Sequence, residues 1–81
     1  MTEEKNQPVD TLRDGSLSAT IWANPAKNGG IRYSVELSRS YTDQNEKWQK
    51  TNYLSNGEIL RGSHLLVKAH ERIGELRRLD S

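Results

Sequence analysis

The strongest pattern in the sequence is Ile31-Arg32-Tyr33-Ser34-Val35-Glu36-Leu37-Ser38, in which apolar and polar side chains alternate without a break. Alternation with a period of two is typical of a β-strand that is buried on one face and exposed on the other. The same pattern runs from Leu17 to Ala23, and Asn28-Gly29-Gly30 supplies turn residues between the two segments. Because the connection is short, the two segments are predicted to pair as an antiparallel hairpin.

Two further strands are predicted on either side of this hairpin. Val9 to Arg13 precedes Asp14-Gly15, a pair that type I′ hairpin turns favour because both central residues have positive φ. The other strand is Trp48 to Leu54, which follows a polar reversal at residues 43–47. These segments complete a sheet of three or four antiparallel strands.

The hydrophobic period changes after Leu54. Ser55-Asn56-Gly57-Glu58 matches a capping box, in which two orphan amides at the start of a helix are satisfied reciprocally. Apolar residues then recur at helical spacing as far as Leu76, without an intervening proline. Gly62 and Gly74 each weaken this helix by about 1 kcal/mol relative to alanine. The predicted fold is therefore α+β, a three- to four-stranded antiparallel sheet followed by one long C-terminal helix packed on one sheet face.

A single helix covers only one face of such a sheet. The side chains predicted to face the helix are the apolar ones of the two best strands, namely Leu17, Ala19, Ile21, Ile31, Tyr33, Val35 and Leu37. The opposite face is predicted to be open, and it should display Trp22, Arg32, Ser34, Glu36, Ser38, Gln49, Thr51 and Tyr53.

The chain has 81 residues, of which 32% are hydrophobic and none is cysteine. This length predicts a single domain over residues 9–79, and the polar segment 1–8, which ends in a proline, is expected to be a disordered arm. No apolar run approaches the roughly 20 residues that span a bilayer, so no membrane partner is expected. The N-terminus has no export signal, and we expect a cytoplasmic location.

The net charge is only +1, but the charges are unevenly distributed. Residues 1–15 carry four acidic and two basic side chains, whereas residues 27–81 carry ten basic and seven acidic ones. A mildly basic body is compatible with a polyanionic partner as well as with an ordinary solvated surface. His64 and His70 lack the i, i+4 spacing of a helical metal pair, and no serine lies in a nucleophile elbow. We therefore expect a binding protein without metal or cofactor rather than an enzyme.

Two aromatic side chains and an arginine on an open sheet face suggest a platform on which unpaired bases stack. Hydroxyl and cationic side chains on or near the strands can contact the phosphates. The residues predicted to bind single-stranded nucleic acid in this way are Trp22, Lys27, Arg32, Arg39, Lys47, Lys50, Thr51 and Tyr53. Four alternatives remain open: the face receives another protein, it binds another kind of ligand, two open faces pack together in a homodimer, or Trp22 turns inward through a bulge. The far end of the helix, around Ile73, Leu76 and Leu79, either contacts a second chain or frays.

Three stretches resemble a family of small uncharacterised bacterial proteins, some of them from mobile elements. They are Asp14-Gly15-Ser16-Leu17-Ser18-Ala19-Thr20-Ile21-Trp22, Tyr33-Ser34-Val35-Glu36-Leu37-Ser38-Arg39 and the helix from Asn56 to Ile73. The resemblance covers most of residues 10–73 and implies no particular activity. In architecture alone, strands followed by one long helix are similar to single-stranded-DNA-binding transcriptional coactivator domains and Whirly proteins. That similarity implies nucleic-acid binding on the sheet, and it assigns no functional residue.

Overall fold

The computed structural model describes residues 8–80 of the chain. It contains β1 (Pro8–Asp14), β2 (Leu17–Pro25), β3 (Ile31–Thr42), β4 (Trp48–Thr51), a 3₁₀ turn (Asn56–Glu58) and α1 (Ile59–Asp80). The strands form one antiparallel sheet in the order β1-β2-β3-β4, and α1 packs against β1, β2 and β3. The predicted α+β fold is therefore confirmed. The arm predicted over 1–8 lies outside the described residues except for Pro8, which begins β1.

Short turns join neighbouring strands, but the type I′ turn predicted at Asp14-Gly15 is wrong. Asp14 pairs with Leu17, so Gly15 and Ser16 are the central residues, and of these only Gly15 has a positive φ. Gly15 adopts φ 63° between β1 and β2, and Gly29 adopts φ 90° between β2 and β3. Both values lie in the left-handed region that glycine enters at little cost. Pairing between β2 and β3 runs from Leu17 opposite Arg39 to Pro25 opposite Ile31, so this hairpin is the centre of the sheet.

The last strand is shorter than predicted. The sequence suggested a strand from Trp48 to Leu54, but β4 ends at Thr51 and pairs only with residues 39–42 of β3. Beyond it, Asn52 Nδ2 donates to the Leu37 carbonyl at 2.6 Å, and Arg39 Nε donates to the Tyr53 carbonyl at 3.3 Å. These side-chain hydrogen bonds replace the backbone ladder, and Leu54 packs against the core.

The core lies between the sheet and α1. Its five buried hydrophobic residues are each at most 3% exposed: Leu17, Ala19, Ile21, Leu65 and Ala69. Partly buried side chains surround them, among them Tyr33, Val35 and Leu37 on β3. The predicted helix-facing set therefore does share this face. Ile31 is on the same face by register, but it lies at the end of β3 and is 46% exposed.

Two ion pairs join the helix to β1. Arg61 Nη2 lies 2.9 Å from Asp14 Oδ1, and Arg72 Nε lies 2.8 Å from Asp10 Oδ2. The hydrogen bond from Arg61 lowers the pKa of Asp14. All four side chains are about a third to a half exposed, and such pairs contribute little stability. Their main effect is to fix the orientation of α1 across the edge strand.

The predicted capping box starts the helical segment. Glu58 Oε1 accepts hydrogen bonds from the Ser55 amide at 2.8 Å and from the Ser55 hydroxyl at 2.9 Å. The hydrogen bond from the Ser55 amide is the main reason why the pKa of Glu58 is lowered. The Glu58 carboxylate also lies 3.2 Å from Arg39 Nε, so the start of the helix is tied to β3.

Ser55→Ala is expected to lower the free energy of unfolding at neutral pH by roughly 0.5–2 kcal/mol, because it removes the hydroxyl that donates to the Glu58 carboxylate at the start of the helix. The Ser55 hydroxyl is one of the donors that lower the pKa of Glu58 in the folded state, so its share of the stabilisation is present at neutral pH and is lost as the pH falls through the lowered value. Thermal melts at neutral and acidic pH should show the difference between wild type and variant shrinking in acid.

Ser63→Ala is the matched control, since the Ser63 hydroxyl donates to the Leu60 carbonyl within the helix and caps nothing. It should leave the melting temperature unchanged or raise it slightly. Equal losses in the two variants would contradict a capping role for Ser55.

Candidate nucleic-acid interface

The sheet face opposite α1 is covered by no helix among residues 8–80, and we call it the open face. The strand register shows which side chains lie on the open face, because residues directly opposite each other in an antiparallel pair share a face. Its members are Thr11, Arg13, Ser18, Thr20, Trp22, Asn24, Arg32, Ser34, Glu36, Ser38, Ser40, Thr42, Trp48 and Lys50.

Small hydroxyl residues occupy the middle of the open face. Ser18 and Ser38 lie opposite each other on β2 and β3 and are 6% and 4% exposed. Their hydroxyl oxygens are 3.2 Å apart, so each buried hydroxyl has a hydrogen-bond partner. Asn24 Nδ2 donates to the Ser34 hydroxyl at 3.4 Å in the same polar band. The middle of the face is thus polar and internally hydrogen-bonded.

Two tryptophans lie towards opposite ends of this polar band. Trp22 is half-buried opposite Ser34, and Trp48 is 73% exposed opposite Thr42. Their partners are eight residues apart on β3, which corresponds to about 26 Å along the strand. A cation accompanies each ring, because Lys50 follows Trp48 on the same face and Arg32 is a diagonal neighbour of Trp22.

Trp48 and Lys50 are the β4 residues on the open face, where the sequence pattern predicts Gln49, Thr51 and Tyr53 instead. The alternation within β4 is weak, so its two faces cannot be distinguished from the strand alone. The available signal is in the turn, where Asp43 Oδ1 accepts from the Asn45 and Lys47 amides at 2.9 and 3.0 Å. That turn pairs position 43 with 47, which sets the register of β4 and brings Trp48 to the open face.

For the same reason the predicted positions of Gln49, Thr51 and Tyr53 are wrong. Gln49 pairs with Tyr41 and Thr51 pairs with Arg39, on the face that α1 covers in part. Tyr53 lies beyond the end of β4, where its ring is 83% exposed.

Arg39 also belongs to the helix side of the sheet. Its guanidinium carbon lies 5.5 Å from the centre of the Tyr41 ring, and its Nε contacts Glu58. It holds the start of the helix and is not on the open face. Of the predicted binding residues, the open face therefore includes Trp22, Arg32 and Lys50.

The two remaining predicted lysines lie in the loops that join the strands. Lys27 is exposed between β2 and β3, near Arg32, and Lys47 is exposed immediately before Trp48. Arg13 was not predicted as a binding residue, but its pairing with Ser18 puts it on the open face. The face thus carries three cationic side chains and one carboxylate, that of Glu36.

Other chemistry is sparse in the part of the chain that the structure describes. Within it, no group of three or more His, Asp or Glu side chains is arranged to hold a metal ion. His64 and His70 are both exposed on α1. No helix of residues 8–80 has the length and apolar character needed to cross a membrane.

No protein-family model matches the chain, and no curated protein or solved structure is significantly similar to it. The resemblance to small bacterial proteins and the architectural similarity to coactivator and Whirly domains therefore stay predictions.

Proposed function

We propose that the open face binds single-stranded nucleic acid weakly and without strong sequence preference, and that the protein acts by binding rather than by catalysis. The observation that carries the proposal is the exposure of Trp48, at 73%, on an uncovered sheet face that also holds Trp22 and three cations. An exposed indole on a flat polar surface offers a stacking partner to any unpaired base.

The charges of the open face favour a phosphate-bearing ligand of modest affinity. Arg13, Arg32 and Lys50 supply three possible phosphate contacts, against the single carboxylate of Glu36. For a single strand, three such contacts give a slope of about −2 when the logarithm of affinity is plotted against that of salt concentration.

The polar middle of the face supports the same proposal. A homodimer formed by two open faces would bury mostly apolar area, whereas Ser18 and Ser38 form a hydroxyl pair at the centre of this face. The exposed hydroxyls of the same face, those of Ser34 and Thr42, suit phosphate and sugar oxygens. The cytoplasmic location expected from the sequence is part of this proposal.

The aromatic contribution is tested by titrating the protein with an oligothymidylate of about 12 nucleotides, a length within the usual site sizes. Tryptophan fluorescence should be quenched, and Trp48→Ala should weaken binding by about 1–3 kcal/mol. Circular dichroism of the variant should match that of the wild type, because the ring contributes little to the core. Tyr53→Ala is the matched control, since Tyr53 is at least as exposed but lies off the open face.

The charge contribution has its own test and control. Lys50→Ala should reduce the magnitude of the salt slope by about 0.7, the value expected for one phosphate contact on a single strand. Lys68→Ala removes a lysine from α1, on the other side of the sheet, and should leave the slope unchanged. Absence of salt-sensitive quenching in the wild type, or equal effects of Trp48→Ala and Tyr53→Ala, would overturn the proposal.

A further inference from the structure

β3 has 12 residues and is three times as long as β4, the strand that pairs with its outer side. β4 pairs with residues 39–42, and the segment from Ile31 to Glu36 extends beyond it along the sheet edge. The Asn52 side chain contacts β3 at Leu37, which marks where the covered part of this edge ends. An uncovered, partly apolar strand edge of this kind is a template for pairing with another strand.

The hydrogen bonds show which backbone groups point to that edge. The Asp43 amide donates to the Lys47 carbonyl, so odd-numbered residues of β3 direct their amides and carbonyls towards the β4 side. The Ser40 amide donates to the Ser16 carbonyl, so even-numbered residues point to β2. The backbone groups of Ile31 and Val35 therefore point outward along the edge.

We propose that this edge pairs antiparallel with the same edge of a second copy of the chain, about a two-fold axis at Ser34. The axis places Arg32 opposite the partner's Glu36, and Glu36 opposite the partner's Arg32. Both side chains are exposed on the open face, and opposite charges in directly facing positions stabilise a sheet. The segment is thus complementary in charge to itself.

The register is restricted by the backbone. Because the outward backbone groups belong to odd-numbered residues, an odd-numbered residue of one copy must face an odd-numbered residue of the other. The two-fold axis therefore lies at the position of a residue and not between two residues. An axis at Arg32 would bring two arginines face to face, and an axis at Val35 would place Ile31 opposite the partner's Arg39, which β4 already pairs. An axis at Tyr33 would place Arg32 opposite the partner's Ser34 and leave Glu36 without a facing charge. An axis at Ser34 satisfies both charges and pairs residues 32–36 of the two copies, which lie on the part of the edge beyond β4 and the Asn52 contact.

The helix side of this edge offers apolar area to the same pairing. Ile31 is 46% exposed and Leu66 is 42% exposed. Arg61 and Arg72 mark the flank of α1 that faces β1, so Leu66 and Ile73, seven residues apart, lie on the flank facing β3. A two-fold axis perpendicular to the sheet brings both helices to one side of it, with these flanks facing each other.

The opposite edge of the sheet is protected from such pairing. β1 begins with a proline, its register with β2 is irregular between Pro8 and Asp10, and Arg13 is charged and exposed. Proline, irregular register and charge all disfavour edge-to-edge association. Pairing through β3 alone gives a closed dimer rather than a filament. This inference is independent of the nucleic-acid proposal.

Sedimentation velocity without nucleic acid tests the dimer. Wild-type protein at about 100 μM is expected to sediment as a dimer, and Arg32→Glu or Glu36→Arg should each weaken its dissociation constant at least tenfold, since two attractive pairs become repulsive. An equimolar mixture of the two variants should form a heterodimer, because every facing pair is again of opposite sign. Arg13→Glu makes the same charge reversal on the open face away from this edge and should leave the dimer intact.

Circular dichroism of each variant checks the fold, and the double variant Arg32→Glu/Glu36→Arg, with both charges exchanged, should dimerise like the wild type. A monomeric wild type at 100 μM would overturn the proposal. So would single variants that dimerise as well as the wild type, or folded single variants whose mixture stays monomeric.

Discussion

Ile21→Asp is expected to leave the protein unfolded at room temperature. Ile21 is fully buried in the middle of β2 and belongs to the same core cluster as Leu65 and Ala69. No basic residue belongs to that cluster, so the new carboxylate would be buried without a partner for its charge. A domain of this size has a free energy of unfolding of only about 4–12 kcal/mol, and burial of an unpaired charge consumes most of it.

Asn24→Asp is the matched control for this prediction. It adds the same carboxylate to the same strand, but on the open face and opposite Arg32. Its circular dichroism spectrum and melting temperature should stay close to those of the wild type. A cooperative melt of Ile21→Asp within a few degrees of wild type would show that the sheet faces are assigned the wrong way round.

Gly62→Leu is expected to lower the free energy of unfolding by about 1–3 kcal/mol, the usual cost of overpacking a core. Gly62 is buried where α1 crosses the sheet, and a Cβ atom there would lie 2.7 Å from Leu54 Cδ1 and 3.2 Å from Leu37 Cδ2. Those two methyl groups can shift to make room for a single Cβ atom, but not for the four side-chain carbons of leucine. The helix would have to lift from β3, which would also expose the residues packed beneath it.

The same substitution at Gly74 is expected to raise the free energy of unfolding instead of lowering it. No atom lies within 4 Å of a Cβ atom built there, so Gly74→Leu gains helix propensity without crowding and should stabilise by up to about 1 kcal/mol. Chemical denaturation of both variants measures the difference directly. If Gly62→Leu proved as stable as Gly74→Leu, close packing of α1 on Leu37 and Leu54 would be disproved.

The two glycines show how far the sequence predicts this fold. Helical spacing and the capping box locate the helix, and glycine propensity gives the same cost at both positions. The sequence does not reveal that Leu54, just past β4, turns under the helix at Gly62. That contact depends on where β4 ends, which is decided by side-chain hydrogen bonds from Asn52 and Arg39.

In the candidate site, too, the sequence places some residues on the correct face and fails to place others. Unbroken alternation in β2 and β3 was enough to place Trp22 and Arg32 on one face, because a slip of one residue would expose the whole core. β4 has four residues and buries little, so nothing in its own sequence fixes its register. The turn at Asp43 fixes it instead, and the exposed Trp48 was missed for that reason.

The sheet order also determines how the chain can assemble. Every strand pairs with its neighbour in sequence, so each hairpin closes only a short loop at a small entropic cost. The contacts between α1 and β1 are different, since Arg61 and Asp14 are 47 residues apart and Arg72 and Asp10 are 62 apart. The entropic cost of closing a long loop therefore arises in a single step, the docking of the helix on the sheet. Without the docked helix the apolar face of the sheet would be in contact with water, and only strand pairing and turns would hold the strands together.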